Sequence, residues 1–240
     1  MSPQATQPVA IVTAASSGIG AACAKRLAES GYRLVVMARS ERIETFAKSI
    51  DAIAVRGSIG LPDDLQRLVN TAIEAHGRID AVVNSSGHPP SKPLLDLTDQ
   101  DWAEQFELMF LSVVRLTRLV TPIMMEQNGG AWVNISGNDP FEPPLEPFPL
   151  ASAMRAAMGN YAKQYADRYV SSGIRMNTVC PSVVSDRPIE KLRPDLKQLP
   201  VGRPARTREI ADLVDYLLSD RAAYITGQHI RIDGGEARSL

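Results

Sequence analysis

Short apolar runs, each too brief for a helix, alternate along this chain with segments whose apolar residues recur at helical spacing, and this alternation restricts its fold most. The first run, VAIVT at 9–13, is unbroken and suits a strand buried on both faces. It passes through Gly18-Ile19-Gly20 into the helix-like stretch AACAKRLAE at 21–29, which Gly31 stops. LVVM at 34–37, AIAV at 52–55 and AVVN at 81–84 read as the second, third and fourth strands, with a helical period at Leu65, Leu68, Val69, Ala72 and Ile73. WVNI at 132–135 and IRMN at 174–177 follow, separated by the helical stretch 151–170, and IRI at 230–232 closes the series. Parallel strands need crossover helices, so the pattern predicts an α/β fold: a doubly wound parallel sheet of about seven strands with helices on both faces.

The rest of the composition narrows the partner class. No internal repeat or linker divides the 240 residues, which predicts a single domain over 1–240. Twenty-six basic against 27 acidic side chains leave a net charge of −1, which removes the electrostatic argument for nucleic acid or an anionic membrane and favours a small-molecule partner. Cys23 and Cys180 lie far apart, which fits buried thiols and neither a metal site nor a disulfide scaffold. The opening residues MSPQATQP have no signal-peptide character, and no apolar run approaches the roughly 18 residues of a spanning helix, so the expected location is cytoplasmic. One segment is biased: five prolines in the eleven residues 139–149 forbid a regular helix or central strand. It reads either as a rigid surface loop or as a wall of the ligand crevice that such sheets open at their strand ends.

The turn between the first strand and first helix, Thr13-Ala14-Ala15-Ser16-Ser17-Gly18-Ile19-Gly20, aims backbone N–H groups and a positive helix end at one place, where a pyrophosphate fits. Asn84-Ser85-Ser86-Gly87 ends the fourth strand, Pro181-Ser182 follows the sixth, and AYITGQHIRIDGG stands at 223–235. In this order and over nearly the whole chain, these motifs resemble the short-chain dehydrogenase/reductase family. The resemblance implies a Rossmann sheet, NAD(P)(H) binding and an oligomer, a dimer or tetramer. Carried over position by position, it puts the dinucleotide on Ala14, Ser16, Ser17, Gly18, Ile19 and Gly20, on Ser58, Ile59, Asn84, Ser85 and Gly87, and on Pro181, Ser182 and Val184.

The chain departs from the family pattern at several of these positions. Ala14 stands where the first glycine of TGxxxGxG is usual and adds a methyl where the backbone turns toward the phosphates. Ser85 and Ser86 replace Asn-Ala of NNAG, and Ser58 replaces an aspartate that usually meets the adenine. Arg39 follows the second strand with no acid at Ala38 or Ser40, so a guanidinium can clamp a 2′-phosphate and NADP(H) is favoured over NAD(H). Its other reading is a solvated arginine at a helix start.

The resemblance also implies four catalytic positions, an Asn, a Ser and a Tyr-x-x-x-Lys, and here the departure is larger. The Asn position falls on Met109 and the Ser position on Gly137. Counting back from Gly173-Ile174-Arg175 puts the Tyr and Lys positions at Ala151 and Arg155, whereas counting forward from Gly137 puts them at Leu150 and Met154; the first register is preferred. None of the six tyrosines (32, 161, 165, 169, 216, 224) has a lysine or arginine four residues on. Arg155 can grip ribose hydroxyls but stays charged and cannot act as the acid. Candidates for a relocated proton donor are Ser136 and His88, with Ser152, Glu142 and Glu146 behind them; His88 is also read as an exposed loop histidine and Ser136 as a strand-end hydroxyl. Tyr161 is expected to pack at an interface.

Three functions follow from this pattern. In the first, a divergent family member accepts the dinucleotide without running the tyrosine-dependent reaction, as a non-catalytic subunit beside a related active one. The long helical stretches 101–127 and 151–170, which resemble the family's contact helices, supply the reason. The second is an active oxidoreductase with a relocated donor. The third is non-redox chemistry on the same scaffold, as in halohydrin dehalogenases, which Arg155 suggests and the missing tyrosine opposes.

Overall fold

The apolar runs become seven strands: β1 (Val9–Val12), β2 (Arg33–Ala38), β3 (Ile53–Arg56), β4 (Ala81–Asn84), β5 (Gly130–Ile135), β6 (Ile174–Pro181) and β7 (His229–Ile232). The structure is a computed structural model that describes residues 7–87, 91–143, 149–191 and 199–239. All the strands pair in parallel in one sheet of order β3-β2-β1-β4-β5-β6-β7. The chain moves outward through β1, β2 and β3, then returns to lay β4 beside β1 and moves the other way. The order therefore reverses between β1 and β4, and a crevice opens beyond the carboxyl ends there.

The strands β1, β2 and β4 are apolar on successive residues because both sheet faces are covered there, whereas the edge strand β7 alternates and is half-buried. Ala10 and Val12 of β1 face one core with α1 (Gly18–Glu29) and α7 (Thr207–Leu218), while Ile11 faces another with α3 (Pro62–His76), α5 (Ser112–Glu126) and α6 (Pro149–Tyr169). The short helix α2 (Arg42–Ser49) places Ile43 and Ala47 in the first core, and Trp132 of β5 lies in the second at 1% exposure. Gly77, at φ 72°, closes α3 in the left-handed conformation that a side chain would strain.

Two boundaries differ from the sequence reading. The stretch 101–127 is one continuous helix from Asp99 to Glu126, made of α4 (Asp99–Phe106), a π-helical segment Glu107–Leu111 and α5. Length and composition would let this helix cross a membrane, which no single unbroken apolar run had suggested; half of its most apolar window is buried in the protein, as in a core helix. The proline-rich segment also ends earlier than 149: Pro149 is the first residue of α6. Proline suits that place, because the first helical N–H has no partner within the helix in any case. Residues 144–148 lie outside the described part, so the stretch 139–149 is seen only at its two ends.

Candidate functional site

At the carboxyl ends of the strands lies a crevice of about 1470 Å³. Its first wall is the turn after β1, where Ser16, Ser17, Gly18, Ile19 and Gly20 line the space together with Ala14. Ala14 holds φ 50°, a left-handed conformation that costs an alanine about 1 kcal/mol. Gly20 is required by contact: a Cβ there would stand 2.5 Å from the Ala14 carbonyl oxygen. The Thr13 hydroxyl ties this turn to the end of β4, donating to the Ser85 carbonyl and accepting from the Ser85 N–H, both at 2.8 Å. Ser17 begins α1 without a side-chain cap, and no acid stands in the first helical turn. The helix therefore presents its free N–H groups and positive end to the crevice.

Most of the other residues assigned to the dinucleotide reach the same space. Arg39, Ser58, Ile59, Ser85 and Gly87 line it, as do Pro181, Ser182, Val184 and Arg155. Asn84 does not line it; this residue is 2% exposed at the end of β4, paired in register with Asn134.

The positions of the expected catalytic set are filled differently. Met109 sits inside the π-helical segment at 4% exposure, where an extra residue per turn displaces the helix axis. Ala151 and Leu150 are wholly buried on α6 and do not line the crevice. Gly137 does line it, but a Cβ there would stand 2.3 Å from Asp139 Oδ1 and 2.7 Å from Arg155 Nη1. The space beside Gly137 thus belongs to an ion pair: Arg155 Nη1 donates to both Asp139 oxygens at 2.8 and 2.9 Å, with the two side chains 12% and 11% exposed. Ser152 adds a long contact to Asp139 Oδ2 at 3.4 Å.

The relocated-donor candidates divide. Ser136 lines the crevice at 6% exposure, its N–H donating at 2.9 Å to the Val179 carbonyl of β6, the strand that carries the Cys180 thiol. Burial pushes that thiol up to about 12, the Asp139 charge adding to it, so Cys180 remains a thiol and no nucleophile. Cys23 is likewise raised to about 12 by burial. His88 and Glu146 lie outside the described residues. Glu142 lines the crevice, but its carboxylate accepts the N–H groups of Ser239 and Arg238, which hold it below the usual carboxylate range. Tyr161 points away from the site: its hydroxyl shares a 2.6 Å hydrogen bond with Thr117, its ring stands edge-on to Phe110, and burial raises its pKa.

A profile of the family described as Enoyl-(Acyl carrier protein) reductase matches residues 13–236. A 3-oxoacyl-[acyl-carrier-protein] reductase of Synechocystis sp. is 31% identical over 96% of this chain and 97% of its own length. The chain belongs to the short-chain dehydrogenase/reductase family. A second 3-oxoacyl-[acyl-carrier-protein] reductase, from Staphylococcus aureus, is 30% identical over 94% of this chain and 96% of its own. Dehydrogenase/reductase SDR family member 4 of Oryctolagus cuniculus is 30% identical over 97% of this chain and 94% of its own. Among solved structures, L-sorbose reductase from Gluconobacter frateurii, complexed with NADPH and L-sorbose, superposes with a TM-score of 0.93 at 25% identity, over 98% of both chains.

Sequence reasoning missed part of this short-chain dehydrogenase/reductase crevice. Asp139 was absorbed into the proline-rich stretch, although a carboxylate two residues after a vacant serine position and sixteen before Arg155 was the available signal. Gln105, one helical turn before Met109, lines the crevice at 6% exposure with no local pattern to announce it. Nor did the contacts of the chain's last residues follow from the motif at 223–235. They fold back onto the loop after β5: Asn138 donates to Asp233 at 3.0 Å, Arg231 lies over the Phe141 ring at 4.7 Å, and Glu236 and Ala237 line the crevice, Glu236 accepting from the Ser182 hydroxyl.

Proposed function

We propose that this chain is a nicotinamide-dinucleotide-binding member of the family that takes NADP(H) in preference to NAD(H), and that it does not run the tyrosine-dependent carbonyl/alcohol reaction. What supports the binding half is the uncapped, acid-free start of α1 beside a turn in which Gly20 has no room for a Cβ. The pyrophosphate would rest on Ser16 to Gly20, the 2′-phosphate on Arg39, the adenine against Ser58 and Ile59, and the nicotinamide end near Ser85, Gly87, Pro181, Ser182 and Val184. When bound, the nicotinamide supplies hydride chemistry. The protein's own groups must supply orientation and any proton.

The observation that carries the second half is the Asp139–Arg155 pair beside Gly137. A serine hydroxyl cannot enter that space without displacing the pair, and no tyrosine stands at 150 or 151. Loss of the proton-transferring group alone costs on the order of a hundred- to ten-thousand-fold. The role that remains is a non-catalytic subunit, a single domain over 1–240 in the cytoplasm, assembling with itself or with a related active chain through α5 and α6. Phe106, 40% exposed and stacked on Phe110, and the Tyr161 that Phe110 meets supply an apolar face on that side.

Fluorescence titration with NADPH and NADH tests the binding half: NADPH should saturate and bind tighter by about 1–3 kcal/mol, the scale of a charge-assisted hydrogen bond. Equal affinities would reduce Arg39 to a solvated side chain. Turnover of an alcohol and ketone panel should stay near background, and a rate in the ordinary range of roughly 1–1,000 per second would remove the second half. Sedimentation at micromolar concentration should return at least a dimer. A second reading, an active oxidoreductase with a relocated donor, is favoured by one feature, the Asp139 carboxylate facing the crevice.

A further inference from the structure

We infer that residues 233–239 form an autoinhibitory strap, which lays the Glu236 carboxylate on Ser182 inside the crevice and which an incoming dinucleotide must lift. The inference rests on reading the crevice as the dinucleotide site and concerns how entry to that site is regulated.

The segment is tied down at both of its ends. At its base Asp233, directly after β7, accepts Asn138 Nδ2 at 3.0 Å and the N–H groups of Gly235 and Ala237, each at 3.0 Å. At its far end Glu142 accepts the Arg238 N–H at 2.6 Å and the Ser239 N–H, while Arg231 of β7 donates to the Ser239 carbonyl and, at 3.0 Å, to the Ser239 hydroxyl. Between these anchors Glu236 and Ala237 line the crevice, and the Glu236 carboxylate accepts from the Ser182 hydroxyl. The segment thus joins the loop after β5 to the residue that follows β6. Ser182 is also a residue the nicotinamide end would use. A serine hydroxyl has one proton to donate, and a carboxylate and a carboxamide carbonyl are both acceptors for it, so Glu236 competes with the cofactor for the same donor.

The same segment is built to come off. Gly234 and Gly235 stand at its base with φ 64° and 81°, and a pair of residues without side chains can absorb the large backbone rotation that a hinge needs. Gly234, Gly235, Glu236, Arg238 and Ser239 are exposed, and none of residues 233–239 belongs to either apolar core. What holds the strap is a set of hydrogen bonds that water can replace one for one. Segments held in this way open at far lower cost than the core to which they are attached.

Two variants of the full chain release the strap. Arg231→Met cuts the anchor on Ser239 with a side chain that does not line the crevice, and removal of residues 236–240 takes the strap away. With their folds checked by circular dichroism, both should bind NADPH about three- to tenfold tighter than the parent in fluorescence titration, because a site that is open only part of the time shows an affinity reduced by its open fraction. In the parent, the Arg238 and Ser239 amides should be protected from hydrogen exchange and should lose that protection when NADPH saturates. Equal or weaker NADPH binding in both variants, or protection that saturating NADPH leaves unchanged, overturns this inference and leaves the dinucleotide reading standing. A parent and two variants that all ignore NADPH overturn the dinucleotide reading and the inference with it. Binding by the released variants alone is the strongest form of the expected result.

Discussion

Arg155→Met strands the Asp139 carboxylate in the wall of the crevice, and the consequence can be sized from the geometry. Both partners are close to nine-tenths buried, at 12% and 11% exposure, and the guanidinium supplies hydrogen bonds of 2.8 and 2.9 Å to the two carboxylate oxygens. With the guanidinium gone, the 3.4 Å contact from Ser152 is left among the described residues. Breaking a buried pair by removing one partner costs about 3–5 kcal/mol, and the open side of the crevice, where water reaches the carboxylate, puts this site at about 3. At roughly 2–4 °C per kcal/mol for a chain of this size, the melting temperature should fall by about 6–12 °C. The double variant Asp139→Leu/Arg155→Met strands no charge and should return to within about 1 kcal/mol of the parent, which makes the two substitutions strongly non-additive. Urea and thermal unfolding of the parent, both single variants and the double variant, followed by circular dichroism, measure the coupling. A single variant within about 0.5 kcal/mol of the parent, or a double variant no better than the worse single, would refute the idea that the pair is a buried, mutually dependent unit.

Three further outcomes are expected. Gly159→Ala should lower stability by about 1–3 kcal/mol through overpacking, although alanine is the better helix former, because its Cβ would stand 2.6 Å from His229 Cε1; a stabilised variant in unfolding experiments counts against the contact. His229 is half-buried, its pKa lowered by burial against the opposing hydrogen bond to the Gly159 carbonyl. Stability is therefore complete above the unfolded value near pH 6.5 and is lost as pH falls through the lower folded value, so His229→Gln should flatten the decline between pH 7 and 5, and parallel curves would exclude the assignment. Gly20→Ala should abolish saturable NADPH fluorescence while leaving far-ultraviolet circular dichroism near that of the parent, since the new Cβ meets the Ala14 carbonyl at 2.5 Å inside the turn; retained binding would mean the turn is not the phosphate cradle.

Sequence alone determined the seven strands and their crossover helices, because a strand covered on both faces leaves a short continuous apolar run and a helix between two sheets leaves a 3.6-residue period. The runs at 9–13, 34–37 and 81–84 became β1, β2 and β4 to within two residues. The turn at 13–20 was readable for the same reason: its function depends on consecutive residues, and the glycines that permit it stand in the chain order in which they act. The catalytic half is different. The sequence stated what is missing there, a tyrosine paired with a lysine, and offered Ser136, His88 and Arg155 in its place. Only the tertiary structure decided what fills the space, by bringing Asp139 from the loop after β5 onto Arg155 of α6, setting Gln105 of α4 into the same wall, and folding the segment from Asp233 to Ser239 across the loop. These groups come from separate elements and converge through helix packing and strand order, so no window of neighbouring residues carries their mutual distance.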